Sequence, residues 1–178
     1  GVVNADERMR SMLVVCPASL KLNWKKESDK WLVRETSVAI ANGGDFPRTD
    51  FVIVNYDVLK KNLAAILARR WDMIVADEAH YMKNPKAQRT KLMMEIVAAN
   101  PDARFLPMTG TPVVNRPIEL FTIMRVVDPE NYNDETFWRY ARRYCDAHNN
   151  GYGWDFTGAA NLEELQEKLR RTVMIRRL

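Results

Sequence analysis

Met73-Ile-Val-Ala-Asp-Glu-Ala-His80 sets four apolar residues directly ahead of two adjacent carboxylates. A short apolar run of this kind reads as a buried strand. Asp77 and Glu78 then fall at its carboxyl end, which is where the working loops of parallel α/β sheets lie. Two neighbouring carboxylates at a strand end project in different directions. One suits Mg²⁺ held through its water shell, and the other suits polarising an attacking water. Phosphoryl transfer needs both, because most of its catalysis is positioning and charge neutralisation. Acidic pairs are also common in solvated surface loops; the strand ahead of this one gives it its weight.

The same alternation continues on both sides. Met12-Leu-Val-Val-Cys16 is an apolar run stopped by Pro17. Residues 19–31, with Leu20, Trp24 and Trp31 among lysines, read as an amphipathic helix. Ser37–Ile40 and Phe51–Val54 are further strand candidates, with Asn42-Gly-Gly-Asp45 as a turn. Asp57–Arg69 carries Leu59, Leu63, Ile66 and Leu67 on one helical face, and Asp72–Ala76 is the strand already described. Asn84-Pro85 reads as a helix start, with Leu92, Met93, Ile96 and Val97 turned inward. Arg104–Met108 reads as a strand, and Pro117 opens a helix to about Val127. This order predicts an α/β fold, a parallel sheet with helices on both faces. Four loops should share one edge: Pro17-Ala-Ser19, Asn55-Tyr56, Asp77–His80 and Thr109-Gly-Thr-Pro112.

The last fifty residues are less strand-like. Phe137, Ala141, Tyr144 and Cys145 stand at helical spacing, Gly151–Gly158 is a turn-rich aromatic loop, and Asn161-Leu-Glu-Glu164 has cap-like spacing before a helix to Arg171. Thr172–Arg176 reads as a returning strand.

Composition bounds the class. The 178 residues are 47% hydrophobic and 28% charged, a globular balance that excludes a disordered tail, collagen and a coiled coil. No apolar run approaches the ~18 residues of a membrane span, and no signal-peptide pattern opens the chain. Two cysteines, Cys16 and Cys145, make no disulfide framework, so an intracellular, reduced chain is expected. The net charge of +4 permits a polyanionic partner without demanding one.

Thr109-Gly-Thr-Pro112, about thirty residues beyond the acidic box, joins the two readings. Small hydroxyl residues around Gly110 let the backbone approach another segment closely. Alone the tetrapeptide is an ordinary turn. With Asp77–His80 it resembles helicase superfamily 2, the acidic box as motif II and Thr-Gly-Thr-Pro as motif III. Pro17-Ala-Ser-Leu20 followed by Trp24 and Glu27 resembles motif Ia of the Swi/Snf-type DNA translocases. Asn115–Leu120, Gly153-Trp-Asp-Phe156, Asn161–Leu165 and Val173–Leu178 narrow the resemblance to the annealing-helicase (HARP-like) branch.

The resemblance implies a RecA-like lobe of P-loop NTPase type that uses ATP and Mg²⁺ and works on double-stranded or branched DNA. Asp77 would hold Mg²⁺ through water and Glu78 would activate the attacking water. His80, Thr109, Gly110 and Thr111 would couple nucleotide state to DNA contacts. Ser19, Leu20, Lys21 and Asn23 would lie near a DNA phosphate strand. Such a protein would be intracellular, cytoplasmic in a prokaryote or phage and nuclear in a eukaryote, with no membrane partner.

One family element is missing from the 178 residues. A P-loop needs Gly-Lys followed by Ser or Thr, and none of the seven glycines is followed by Lys. Gly153 and Gly158 have the spacing, but Ala159-Ala160 follow. Residues 1–178 are therefore expected to be a partial first lobe, with the P-loop upstream and a second lobe with its arginine finger downstream, and inactive alone. The alternative is a non-catalytic DNA- or protein-binding module derived from that lobe. Trp24, Trp31, Trp71, Trp138 and Trp154 read mainly as core packing, with base stacking as the other use. Arg170, Arg171, Arg176 and Arg177 suit either phosphate or a helix C-terminus. Cys145 and His148 fall short of a zinc set.

Overall fold

A computed structural model describes residues 2–110 and 116–175. The chain divides into two compact units, residues 1–110 and 111–178.

The first unit carries a five-stranded parallel sheet. A short α1 (Val2–Ala5) precedes β1 (Met12–Cys16), α2 (Lys21–Trp31), β2 (Val38–Ala41), β3 (Phe51–Asn55), α3 (Leu59–Leu67), β4 (Met73–Ala76), α4 (Gln88–Ala98) and β5 (Arg104–Pro107). The strand order is β2-β3-β1-β4-β5. In the central register Met12 lies beside both Phe51 and Met73, and Val15 beside both Val54 and Ala76. The strands β1, β3 and β4 are buried along their whole length. That is why they read as unbroken apolar runs rather than alternating ones. One face, built from Met12, Val14, Cys16, Phe51, Ile53, Met73 and Val75, packs against Leu20 and Trp24 of the α2 region. The alternate residues Leu13, Val15, Val52, Val54 and Ile74 point the other way and are equally buried. Fully buried Leu, Ile or Val side chains contribute ~1.5–3 kcal/mol each.

Strand and helix positions match the sequence reading to within a few residues, apart from a small hairpin that enters the stretch read as a turn-rich loop and two larger exceptions. The first is Asn84-Pro85, which does not start a helix. The Asn84 side-chain oxygen accepts from the Lys86 N–H at 2.9 Å, and Ala87 N–H donates to the Asn84 carbonyl. Asn84 thus closes its own turn, a role its short side chain fills as readily as a cap. The helix α4 begins only at Gln88.

The second unit is helical, with α5 (Pro117–Val127), α6 (Asp134–Tyr144), a small antiparallel hairpin β6 (His148–Asn149) and β7 (Trp154–Asp155), and α7 (Leu162–Thr172). Its core is aromatic: Phe121, Tyr132, Tyr140 and Tyr144 are buried, and the Phe121 and Tyr140 rings lie 4.9 Å apart. A reciprocal cap between Asn133 and Thr136 starts α6. Gly158 is required by close approach, since a Cβ there would sit 2.7 Å from the Asp146 Cβ and 2.9 Å from the Cys145 carbonyl.

The second exception lies at the end of the chain. The returning strand expected over Thr172–Arg176 does not form. Thr172 ends α7 with its hydroxyl on the Lys168 carbonyl, Val173 and Met174 both donate to Leu169, and Val173–Ile175 pair with no strand. Local closure of a helix end outcompetes β-propensity in a β-branched run. Arg176 lies outside the described residues. Asn161 precedes α7 as expected, yet its side chain does not cap it. It sits at φ 48° and donates to the Arg143 carbonyl at 2.7 Å instead.

Candidate active site

The acidic box sits where the sheet order places it, at the carboxyl end of β4 between β1 and β5. The Asp77 N–H donates to the Val15 carbonyl at 2.8 Å, carrying the ladder one residue past the strand. Chain direction then changes at Glu78, whose φ of 50° and ψ of 54° put it in the left-handed region. A left-handed L-residue costs ~1–2 kcal/mol. The turn leads into a short 3₁₀ segment, Ala79–Met82, with Ala79 and Met82 buried beneath it. The Ala79 N–H donates to the Met108 carbonyl at 2.7 Å, and the Met108 N–H to the Ala76 carbonyl at 2.8 Å. Backbone hydrogen bonds therefore join the acidic loop to the residue just before Thr109.

The Asp77 carboxylate is gripped at both oxygens. One accepts from the Glu78 N–H at 2.9 Å, the other from the Trp24 indole N–H at 2.7 Å. Below it the Tyr56 hydroxyl donates to the Asp77 backbone carbonyl at 2.9 Å. Tyr56 stacks on Tyr81 at 5.3 Å, and the Arg89 guanidinium lies over the Tyr81 ring. Burial, reinforced by the Asp77 charge, pushes the Tyr56 hydroxyl far above its usual range. The same two causes push the Cys16 thiol up to about 12. Both groups stay neutral, so Tyr56 acts as a donor and Cys16 as an apolar packing residue.

Glu78 and His80 are half-exposed and face one another, with Glu78 Oε2 3.2 Å from His80 Nδ1. That contact lacks hydrogen-bond alignment, which leaves the buried Nδ1 without a hydrogen-bond partner. Among the described residues His80 is the group beside the Glu78 carboxylate, which stays about one-third exposed, as a base that receives a proton from water must be.

The donor set fits Mg²⁺. A carboxylate offers about four acceptor directions, and Asp77 uses two. Mg²⁺ keeps most of its waters and takes one or two carboxylates. Among the described residues no group of three or more His, Cys, Asp or Glu forms an all-protein cage.

The other expected residues spread along the same edge. Ser19 lies exposed in the 3₁₀ turn Ala18–Leu20, and Asn23 is exposed on the first turn of α2. Leu20 packs into the core face of the sheet and offers only its backbone. Lys21 is half-buried with its ammonium 2.6 Å from Asn42 Oδ1. Thr109 is half-buried and Gly110 exposed at the end of β5, while Thr111 lies outside the described residues. Sequence reasoning missed the role of Trp24, which it assigned to packing, and of Tyr56, which it noted only as part of a loop. No spacing rule announces a hydrogen bond between residues 53 positions apart.

Comparison with known proteins places this edge in a family. The SNF2-related domain matches residues 2–178. A Xenopus tropicalis protein, SWI/SNF-related matrix-associated actin-dependent regulator of chromatin subfamily A-like protein 1, is 36% identical over 171 residues, 94% of this chain and 18% of its own length. The mouse DNA annealing helicase and endonuclease ZRANB3 is 34% identical over 94% of this chain and 16% of its own. The chain thus spans under a fifth of these relatives. The Sulfolobus solfataricus SWI2/SNF2 ATPase core in complex with dsDNA superposes with a TM-score of 0.70 at 22% identity, over 98% of this chain and 35% of that one. It shares the RecA-like sheet. On the residues, the fold and the match along nearly its whole length, the chain belongs to the SNF2-related domain family.

Proposed function

We propose that this chain is the first RecA-like lobe of an ATP-dependent motor that tracks along double-stranded or branched DNA, in the manner of annealing helicases. The observation that carries the reading is the pairing of Asp77 and Glu78. One carboxylate is locked by two N–H donors, and its neighbour is turned outward by a left-handed backbone. A solvated surface loop has no use for that division of labour.

Mg²⁺, when bound, supplies charge neutralisation for the transferring phosphoryl group. The residues of this chain do the rest. Asp77, held at both oxygens, would hold the metal through its waters. Glu78 accepts the proton of the attacking water. His80 lies beside it and sets where its carboxylate rests. The Ala79–Met108 bond passes a change in the acidic loop toward Thr109, Gly110 and Thr111. Ser19, Lys21 and Asn23 contact phosphate without reading bases, which lets any sequence pass.

Two further elements belong to this reading, a phosphate-cradling P-loop and a second lobe, both outside the 178 residues. The outer edge of β5, which pairs with no strand among the described residues, supports the first. Leu106 there is 41% exposed, and an unpaired strand edge is a ready template for another strand. The protein would work wherever its cell keeps DNA.

The test is Glu78→Gln in the full-length protein. Shape and hydrogen bonding are kept while the base is lost, so single-turnover hydrolysis should slow roughly 10²–10⁴-fold. ATP affinity, measured on the same preparation, should survive. Unchanged hydrolysis would remove Glu78 as base, and a full-length protein with no DNA-stimulated hydrolysis would favour a retired binding module.

A further inference from the structure

We infer that Trp24 is a positioning residue for Asp77, and that its indole ties the metal-holding carboxylate to the helix that faces DNA. This rests on the reading of Asp77 as the Mg²⁺ holder and of the start of α2 as phosphate-facing.

The geometry is specific. Trp24 Nε1 lies 2.7 Å from Asp77 Oδ2 in a part-buried setting. An indole has one donor and no acceptor, so this contact is all the hydrogen bonding its side chain can do. A carboxylate acceptor makes it charge-assisted, shorter and about twice as strong as a neutral pair. The ring also packs against the core face of the sheet, as Leu20 does. The indole therefore cannot swing away without losing apolar contacts. With the Glu78 N–H on Oδ1, the carboxylate plane is fixed from two directions. A carboxylate held in this way would accept from the metal's waters better than a free rotor, because its orientation is set before the metal arrives.

The other end of the lever is the α2 helix. Lys21 is three residues before Trp24, on the neighbouring position of the helix surface, and Asn23 is adjacent to it. Any movement of α2 as it takes hold of phosphate carries the indole with it, and the indole carries Asp77 Oδ2. Coupling of this kind is reciprocal: if duplex DNA changes Mg²⁺ affinity through Trp24, Mg²⁺ changes DNA affinity by the same factor. The chain thereby has a direct side-chain path between its two proposed sites, separate from the backbone path through Ala79 and Met108.

Trp24→Phe keeps the ring packing and removes the N–H. In the full-length protein the Mg²⁺ concentration for half-maximal DNA-stimulated hydrolysis should rise ~10–100-fold, while the rate at saturating Mg²⁺ returns close to wild type. A rate reduced equally at every Mg²⁺ concentration would assign Trp24 to packing alone and overturn the inference. Asp77→Asn serves as the companion. Loss of hydrolysis in Asp77→Asn with an unchanged Mg²⁺ requirement in Trp24→Phe defeats the role of Trp24 and leaves the site standing. Intact hydrolysis in Asp77→Asn defeats the site itself. Should Trp24→Phe fold poorly, the unsubstituted protein answers through the indole N–H resonance of ¹⁵N-labelled Trp24. That resonance should move on adding Mg²⁺ and again on adding duplex DNA. A signal indifferent to both would overturn the inference.

Discussion

The Ala79 N–H donates to the Met108 carbonyl at 2.7 Å, and this bond makes the acidic loop and the Thr109 loop one mechanical unit. It is a backbone contact, so side-chain replacement at Thr109 leaves it in place. Thr109→Val keeps the side-chain shape and removes the hydroxyl. Hydrolysis without DNA should persist, while the stimulated part falls on the order of ten-fold, within the ordinary range of coupling free energies. Rates with and without duplex, measured on the full-length variant, decide this. Equal loss in both would place Thr109 in the chemical step rather than in its coupling.

Glu78 stands at φ 50° in a position that a glycine would occupy without strain. Glu78→Gly should relieve ~1–2 kcal/mol of left-handed strain, against ~0.5–1 kcal/mol of added chain entropy. The net expectation is a fold more stable by roughly 0–1.5 kcal/mol in a protein that no longer hydrolyses ATP. Urea denaturation of wild type and variant gives the first number, and turnover gives the second. A less stable variant would show that the turn is not strained.

How far the sequence carried the argument depends on range. Apolar runs such as Leu13–Cys16 and Ile74–Ala76 were legible because both faces of a central parallel strand are buried. The acidic pair was legible because it follows such a run. The sequence did not show that Asn84 closes a turn instead of capping a helix, since both roles use the same side-chain oxygen. It also hid Trp24 on Asp77 and Tyr56 beneath it. Those partners meet only after β1, β3 and β4 align in register, and register is a property of the folded sheet.

The two cysteines report on folding through their ionisation. Burial pushes Cys16 up to about 12 and Cys145 up to about 11. A raised thiol pKa means that the folded chain keeps protons which the unfolded chain releases above its ordinary value of ~8.5. Stability from this source is complete below that value and is lost as pH rises toward 11 and beyond. Thermal melts should therefore fall steadily above about pH 9, and both thiols should resist alkylation at neutral pH until the chain unfolds. Rapid labelling of either thiol at neutral pH in the folded chain would contradict its burial.

Lysines at the start of α2 separate the DNA-contact reading from general surface charge. Lys21 is held 2.6 Å from Asn42 Oδ1, a neutral acceptor, and keeps its full charge for a phosphate. Lys25 is paired with Asp29 at 2.6 Å on the next turn, so its charge is largely spent. The 178-residue chain should bind unrelated duplexes weakly, ~10⁻⁴ M or poorer at physiological salt, with affinity falling as salt rises because releasing counterions then gains less free energy. Lys21→Ala should weaken that binding for every sequence alike and reduce the salt slope by about 1, the signature of one lost phosphate contact. Lys25→Ala should change it little. Titrations of two unrelated duplexes at several salt concentrations make the comparison. A loss confined to one sequence would replace backbone tracking with base recognition, and equal losses from both lysines would reduce the contact to diffuse positive charge.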